Sequence, residues 1–249
     1  LRRLRSLLKV FRPVVDSEGL RELDRKARDL GLLLGELRDA DVAMDTVGAA
    51  AAQRSDDADL ASLKGVLANS RAHHREKVRA ELKGRQWSCL KLKLAMLPEC
   101  LDQLVGGQNS KVLAKPIGRL TDKVLGKWWG KIIQAGRRID SLSAAERHEM
   151  RKRLKTMRYA VEFLASLYPA KDVRRFTKKL RSLQDKFGYL NDVVVAEKLK
   201  LVRADGTSDP DLQRAGGYVI GWHAARAERA WNNIRSGWKR FAKSSPFWA

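Results

Sequence analysis

Apolar residues recur at every third or fourth position along almost the whole chain, and this periodicity limits the fold more than any other feature. Leu23, Ala27, Leu30 and Leu34 form one such stripe. This spacing places the side chains on one face of an α-helix, and no stretch alternates as a β-strand does. The sequence therefore predicts an all-α fold of about eight helices. Residues that favour turns are dense at four breaks in the pattern, Asp16–Gly19, Ser55–Asp57, Gly106–Ser110 and Asp205–Pro210.

An internal repeat relates the two halves of the chain. Adding 153 to a residue number maps about forty residues of the first half onto the second without gaps, so that Gly35 falls on Gly188 and Asp39 on Asp192. Such a repeat is typical of two homologous units. We therefore predict two four-helix bundles related by a pseudo-twofold axis, one over residues 1–105 and one over 117–249, with a linker at 106–116.

Positive charge is the second strong signal, because 51 Lys and Arg against 29 Asp and Glu give a formal net charge of +22. In the first helix four cations stand at i, i+3, i+7 and i+10, and a histidine with three cations repeats this spacing at residue 148. Neighbours at such offsets lie about 5 to 6 Å apart and can follow a chain of phosphates. The predicted polyanion-binding residues are Arg2, Arg5, Lys9, Arg12, Arg21, Arg25, Arg28, His148, Arg151, Lys155, Arg158, Arg174, Lys178 and Arg181.

A plainer interpretation of these stripes is a solvated helix face whose Lys and Arg stems cover the edges of the core. His148 has its own alternative, a packed or hydrogen-bonded residue near a helix start. The sequence Ser143-Ala-Ala-Glu146 has the spacing of a capping box, so a helix is expected to begin there and to carry His148 in its early turns. The stripes recur in both halves, which favours function over a merely solvated surface.

Two segments of the second half, His148–Phe163 and Leu180–Asp192, resemble the signature helices of the CHAD family, the histidine α-helical domains. Leu1–Arg5 and Leu34–Val42 resemble the first copies of the same two helices. The closing Pro246-Phe-Trp is similar to the family's usual end. The resemblance thus covers nearly the whole chain, with its matched segments in the expected order.

The resemblance implies two four-helix bundles and a basic face or cavity where the repeats meet. It implies a non-catalytic, cytoplasmic module that binds inorganic polyphosphate, often at polyphosphate granules, and that can accompany a fused or associated triphosphate-cleaving domain. The histidine of the first copy would fall upstream of Leu1, so we expect the sequence to be trimmed there. The family's binding positions match Arg2, Arg5 and Arg28 in the first copy and His148, Arg151, Lys155, Arg158 and Arg181 in the second.

Metal binding and catalysis are the rival interpretations. His73, His74 and Glu76 offer an i, i+3 pair of ligands, but cations surround them and His74 continues an apolar face, so no metal site and no cofactor are expected. Phosphate hydrolysis requires clustered carboxylates that hold a divalent ion. Asp39 and Asp41 are the only closely spaced candidates, and the chain has no GxxxxGK loop. We therefore expect no catalytic residues and no enzymatic activity.

Nucleic acid is the alternative ligand, because any basic groove attracts phosphates. Modules that stack bases display aromatic rings on their basic surface. Here four tryptophans fall on apolar stripes and are expected in the core, while three others have no clear position: Trp87, Trp128, Trp231 and Trp238, against Trp129, Trp222 and Trp248. The two cysteines lack disulfide spacing and no apolar run reaches membrane-spanning length, so a reduced compartment without membrane contact is expected.

Overall fold

The computed structural model describes residues 1–54, 56–100, 114–197 and 209–248, with the backbone alone for 191–197. This part of the chain contains no β-strand, which confirms the predicted all-α class. Two 3-10 turns, Ile139–Ser141 and Ala165–Leu167, flank one of its helices. The α-helices of the described ranges are α1 Arg2–Phe11, α2 Glu18–Ala51, α3 Ala58–Leu82, α4 Arg85–Met96, α5 Ile117–Gly136, α6 Ala144–Phe163, α7 Ala170–Glu197 and α8 Pro210–Ala242.

Local sequence determines where the helices begin. The hydroxyl of Ser143 accepts a hydrogen bond from the backbone N–H of Glu146, and the Glu146 carboxylate accepts one from the backbone N–H of Ser143 at 2.8 Å. This confirms the predicted capping box at the start of α6. Asp57 caps α3 by accepting from the backbone N–H groups of Asp59 and Leu60, each at 3.1 Å. The predicted break at 55–57 therefore separates α2 from α3.

Two compact units make up the fold, and each draws on separate stretches of the chain. Unit 1 comprises Leu1–Gly31, Arg85–Phe187 and Ile234–Ala249, and unit 2 comprises Leu32–Gly84 and Gly188–Asn233. The sequential bundles over 1–105 and 117–249 stay a prediction, and the compact units are divided differently from them. Helix length is the reason, because α2, α7 and α8 have 34, 28 and 33 residues and each contributes to both units. Residues 106–113 of the predicted linker lie outside the described residues, and the repeat itself stays a prediction.

The core of unit 1 is built from the apolar faces of helices that the repeat relates. Helix α6 packs against α1 on one side and α5 on another. An aromatic cluster, in which Trp129 lies 5.1 Å from Phe241 and Phe176 lies 5.0 Å from Trp248 between ring centroids, fills the region between α5, α7 and α8. Buried residues occupy the same repeat positions in α2 and α7: Leu20, Leu23 and Ala27, against Val173, Phe176 and Leu180.

The core of unit 2 combines residues from both ends of the sequence. Its buried cluster contains Val47, Ala50, Ala51, Leu60 and Leu63 from α2 and α3, with Leu212, Ala215 and Val219 from α8. His223 of α8 is buried beside this cluster, where its Nε2–H donates to the carbonyl oxygen of Thr46 at 3.0 Å. The hydrogen bond satisfies a polar group that would otherwise destabilise the core.

Candidate anion-binding site

All the predicted binding residues belong to unit 1, where they lie on or directly after α1 and on α2, α6 and α7. The structure therefore gathers into one unit a set of side chains that the sequence distributes over two distant segments. Four of them are half-buried, namely Arg5, Arg151, Lys155 and Arg158, and the others are exposed. Within the unit, α1 packs against α6, so the first helices of the two predicted copies are direct neighbours.

A first groove lies between the end of α1 and the start of α2. Its volume is about 210 Å³. Four of the predicted cations line it together with two aspartates and an apolar floor: Lys9, Arg12, Arg21 and Arg25, with Asp16, Asp24, Leu8, Val15 and Leu20. The charge of this groove is therefore partly neutralised by its own acids.

A second, larger groove of about 770 Å³ lies between the end of α6 and the first half of α7. Arg174, Lys178 and Arg181 supply its predicted cations, Lys186 adds a fourth, and Glu162 and Asp185 are its acids. His148, Arg151 and Lys155 lie earlier on α6 and do not line this groove.

The lining residues of the two grooves occupy corresponding positions. Adding 153 to Lys9, Arg12, Leu20, Arg21, Asp24 and Arg25 gives Glu162, Ala165, Val173, Arg174, Thr177 and Lys178, all of which line the second groove. Three of these correspondences change the charge. Lys9 is replaced by Glu162, Arg12 by the neutral Ala165, and Asp24 by the neutral Thr177. The two grooves are thus similar in position but differ in where their acids stand.

Arg5 and Arg158, which are also related by 153 residues, are each held by a carboxylate. The Nε of Arg5 donates to Asp24 of α2 at 2.7 Å. Arg158 donates from Nη1 to Glu162 and from Nε to Gln184 of α7, both at 2.9 Å, and its side chain is only 20% exposed. These two arginines tie the first helix of each copy to the second, and each uses its Nε–H donor within the fold.

Acids of α2 and of the segment before it also occupy the exposed cations of the first groove. Arg21 forms a two-pronged pair with Asp16, in which both hydrogen bonds are 3.0 Å long, and this bonding lowers the pKa of Asp16. Arg25 donates to Glu18 at 2.8 Å, and Arg12 lies 3.6 Å from Asp16. The first groove thus offers less uncompensated charge than its sequence indicates.

The second groove lacks these pairs. Pro169 and Lys171 stand where the repeat would place counterparts of Asp16 and Glu18. Among the residues that the structure describes, no carboxylate lies within 4.0 Å of Arg174 or Lys178. The first half of α7 therefore presents the more available cations of the two grooves.

Comparisons with known proteins agree with this architecture. A family model for the CHAD domain matches residues 1–201. The chain belongs to the CHAD domain family. Its structure is similar to the crystal structure of the CHAD domain from the plant Ricinus communis, with a TM-score of 0.74 and 26% identity over 96% of this chain and 78% of that chain. PptA from Streptomyces chartreusis shares the fold, with a TM-score of 0.70 and 13% identity over 96% of this chain and 86% of that one. No curated protein matches the sequence.

Two residues of this CHAD domain that sequence reasoning missed are Arg3 and Glu162. Arg3 of α1 lies 3.9 Å from Glu162 of α6, measured from Nη1 to Oε2, and Arg181 of α7 donates to the other carboxylate oxygen at 3.2 Å. Arg3 falls off the i, i+3, i+7 stripe of its helix, and Glu162 is an acid within a basic segment. The sequence does contain a signal for Glu162, because the corresponding position of the first copy is occupied by Lys9, which has the opposite charge.

A third groove of about 460 Å³ was also not predicted. The outer face of α7 and the closing segment of the chain form it, with Arg175, Lys179 and Lys243 as its cations. The ammonium group of Lys179 donates to the hydroxyl of Ser244 at 2.9 Å. The first copy has Glu22 in place of Arg175, and the repeat therefore gave no signal for this groove.

The aromatic rings of the CHAD domain are mostly used in packing. Trp87, Trp231 and Trp238 are buried as predicted, whereas Trp128 is half-buried. Of the tryptophans whose position the sequence left open, Trp129 and Trp248 belong to the aromatic cluster of unit 1. Trp222 packs against the core of unit 2, and the guanidinium of Arg226 lies 3.6 Å from the centroid of its ring.

The described residues contain no group of three or more His, Cys, Asp or Glu side chains that could hold a metal ion. His74, one of the histidines considered as a ligand, lies 3.8 Å from Glu36. Asp41 accepts a hydrogen bond from Arg71 of α3 at 2.6 Å, which gives this carboxylate a structural partner. Within the described ranges, every helix is too short or too polar to cross a membrane.

Proposed function

We propose that this CHAD domain is a non-catalytic binding module for inorganic polyphosphate. The observation that carries the proposal is the pair of cation-lined grooves at corresponding positions of unit 1. Polyphosphate is a flexible chain with a negative charge on every phosphate, and rows of Arg and Lys at helical spacing match such a ligand without requiring one register. The family to which the chain belongs is consistent with this ligand.

Nucleic acid is the competing ligand. Binding of single strands without sequence preference depends on aromatic platforms beside a basic groove. The rings of unit 1 are packed in its aromatic cluster, and no aromatic side chain lines the first or the second groove among the described residues. Phe176 and Phe247 do line the third groove, but their rings pack against each other at 5.6 Å between centroids. Trp222 with Arg226, in unit 2, is an arrangement that favours nucleic acid. We therefore expect polyphosphate to be preferred.

A competition experiment at one salt concentration tests the proposal. Labelled long-chain polyphosphate is bound to the protein, and unlabelled polyphosphate, single-stranded RNA and duplex DNA are added as competitors at equal phosphate concentration. We expect polyphosphate to displace the label at the lowest concentration and its affinity to fall steeply with salt, because each phosphate that is neutralised releases condensed counterions. Stronger competition by RNA or DNA, or an affinity independent of salt, would contradict the proposal.

Absence of catalysis and granule association are separate parts of the proposal. We expect the polyphosphate chain length to remain constant during prolonged incubation with the protein and Mg²⁺, as judged by gel electrophoresis. Release of orthophosphate would contradict the non-catalytic part alone. We expect a fluorescent fusion to collect at polyphosphate granules and to disperse when the cations of α7 are removed.

A further inference from the structure

Glu162 is an acid of the second groove on which three arginines converge, one of them, Arg181, from the groove itself. Its carboxylate accepts hydrogen bonds from Arg158 at 2.9 Å and from Arg181 at 3.2 Å, and Arg3 lies 3.9 Å away. Three guanidinium groups from three helices, α6, α7 and α1, therefore surround one carboxylate. Glu162 also lines the groove, so it meets any anion that binds there.

The position of this carboxylate is fixed. Glu162 is 17% exposed, and its partner Arg158 is held in turn by Gln184 and by the ring of Tyr159, 4.7 Å from the guanidinium carbon. Arg181 and Arg3, in contrast, are 59% and 63% exposed and can turn toward a ligand. An incoming anion must therefore draw Arg181 and Arg3 away from the Glu162 carboxylate, which Arg158 holds in place.

We infer that Glu162 is a selectivity residue, an internal anion that discriminates against short phosphate ligands at the polyphosphate site. The inference rests on the proposed function. A site becomes specific partly through groups that oppose the wrong ligand. Pyrophosphate brings all its charge next to Glu162 and must overcome the repulsion locally. A long polyphosphate is held by other cations as well, so its local segment competes at a high effective concentration.

The first copy provides a natural contrast. Lys9 stands at the position that corresponds to Glu162, and Arg28 stands at the position of Arg181. Among the described residues no carboxylate lies within 4.0 Å of Lys9 or Arg28. The first groove has its own acids, Asp16 and Asp24, but a carboxylate at this position is found in the second groove, and it can be removed there and installed in the first.

The principal test compares Glu162→Gln with the wild type. The wild type must first be shown to bind long-chain polyphosphate, and a failure to bind it would refute the proposed function and not this inference. Glutamine keeps the shape and the acceptor oxygen but removes the charge. We expect the affinity for pyrophosphate, measured by calorimetry, to rise about tenfold, as removing a charge near the ligand in a partly exposed site should do. The affinity for long polyphosphate should rise less, so that the ratio of the two affinities falls.

The matched control is Glu76→Gln, which changes the net charge equally. Glu76 belongs to unit 2 and forms one exposed ion pair with Arg79 at 2.7 Å. We expect its effect on pyrophosphate affinity to stay within about twofold, as is usual for an exposed ion pair. An equal rise in pyrophosphate affinity in both variants would mean that net charge alone causes the effect. An unchanged or lower pyrophosphate affinity in Glu162→Gln would mean that Glu162 serves to hold the arginines in place. Either result overturns the inference.

The reverse substitution keeps the inference testable if Glu162→Gln does not fold. Lys9 is exposed, so Lys9→Glu installs a carboxylate four residues after Arg5, as Glu162 follows Arg158, with little risk to the core. We expect Lys9→Glu to weaken pyrophosphate binding more than Lys9→Gln, which removes the cation without adding an acid. Equal effects of the two substitutions would contradict the role of the carboxylate.

Discussion

At the scale of single residues, charge alone does not reveal which cations are available to a ligand. Arg158 lies on the predicted stripe with the same spacing as its neighbours, yet its guanidinium is hydrogen-bonded to Glu162 and Gln184. Lys178 lies on an equally basic stripe and has no carboxylate within 4.0 Å among the described residues. Spacing identifies the face of a helix and can reveal an i, i+4 partner such as Glu162, but a partner on another helix, such as Gln184, depends on tertiary packing.

Gly136 shows the same dependence on packing for a residue without a side chain. It ends α5 in a buried position, where an added Cβ would overlap the ring of Trp238. We expect Gly136→Ala to lower the free energy of unfolding by about 1–3 kcal/mol, since a filled core cannot accept another group. Urea denaturation followed by circular dichroism measures this change.

Gly126 of the same helix is the control for that substitution. It is exposed, and nothing lies within 4 Å of an added Cβ. Gly126→Ala should stabilise the protein by about 0.5–1 kcal/mol, because alanine restricts the unfolded chain and favours the helix. If both substitutions shift stability in the same direction, the close approach of α5 to Trp238 is wrong.

At the scale of helices, α2 and α7 are similar in sequence and unequal in available charge. The repeat aligns Arg21, Arg25 and Arg28 of α2 with Arg174, Lys178 and Arg181 of α7, so all six positions are basic. In the structure Asp16 and Glu18 compensate the first two, whereas among the described residues no carboxylate lies within 4.0 Å of their counterparts Arg174 and Lys178. The acids could be found in the sequence, but their effect depends on how the turn before α2 places Asp16.

This asymmetry predicts that α7 contributes more to polyphosphate affinity than α2. Replacing Arg174 and Lys178 together by Ala should weaken binding of long-chain polyphosphate about tenfold and reduce the dependence of the affinity on salt. The matched double substitution of Arg21 and Arg25 by Ala should weaken polyphosphate binding by about threefold or less. The two charges that it removes are already compensated by Asp16 and Glu18, although these acids then add some repulsion. Calorimetry at three salt concentrations measures both, and equal losses would show that the ion pairs of α2 open freely for the ligand.

The start of α6 was predicted fully from sequence, and it provides a pH test. Hydrogen bonds from Ser143 lower the pKa of Glu146 below its ordinary value of 4.5. A carboxyl group with a lowered pKa in the folded state stabilises the fold above its unfolded pKa, and this contribution is lost as pH falls through the folded pKa. Glu146→Gln should therefore be less stable than the wild type at pH 7, and the difference should shrink below about pH 4.5. A difference that is independent of pH would mean that the charge of Glu146 contributes nothing.

At the scale of the whole molecule, the helical class is confirmed, and the predicted breaks near 16–19 and 55–57 separate helices of the described residues. The sequential bundles over 1–105 and 117–249 and the role of the basic residues stay predictions. Apolar periodicity and turn residues are local signals, so they predict individual helices and the turns between them. Which helices share a core is a long-range property. A helix of 34 residues extends about 51 Å at 1.5 Å per residue, and it can therefore contribute to two cores that no local pattern separates.

The interleaved units make a last prediction about fragments. The core of unit 2 joins Val47 and Leu63 from the first half to Leu212 and Val219 from the second, and unit 1 packs α1 against α6. Neither fragment 1–105 nor fragment 117–249 contains a complete core. Each fragment alone should therefore show reduced helicity and no cooperative thermal transition, because its apolar faces lack their partners.

Produced together, the two fragments should recover what each lacks. We expect them to co-purify through a tag on one of them, to regain the helicity of the intact chain, and to bind long polyphosphate with an affinity close to that of the intact protein, since all cations of both grooves would again lie in one unit. Sequential, self-contained bundles would behave differently. Each such bundle would fold alone with full helicity. Independent cooperative unfolding of the two fragments would therefore refute the interleaved arrangement and support the predicted domain boundary at residues 106–116.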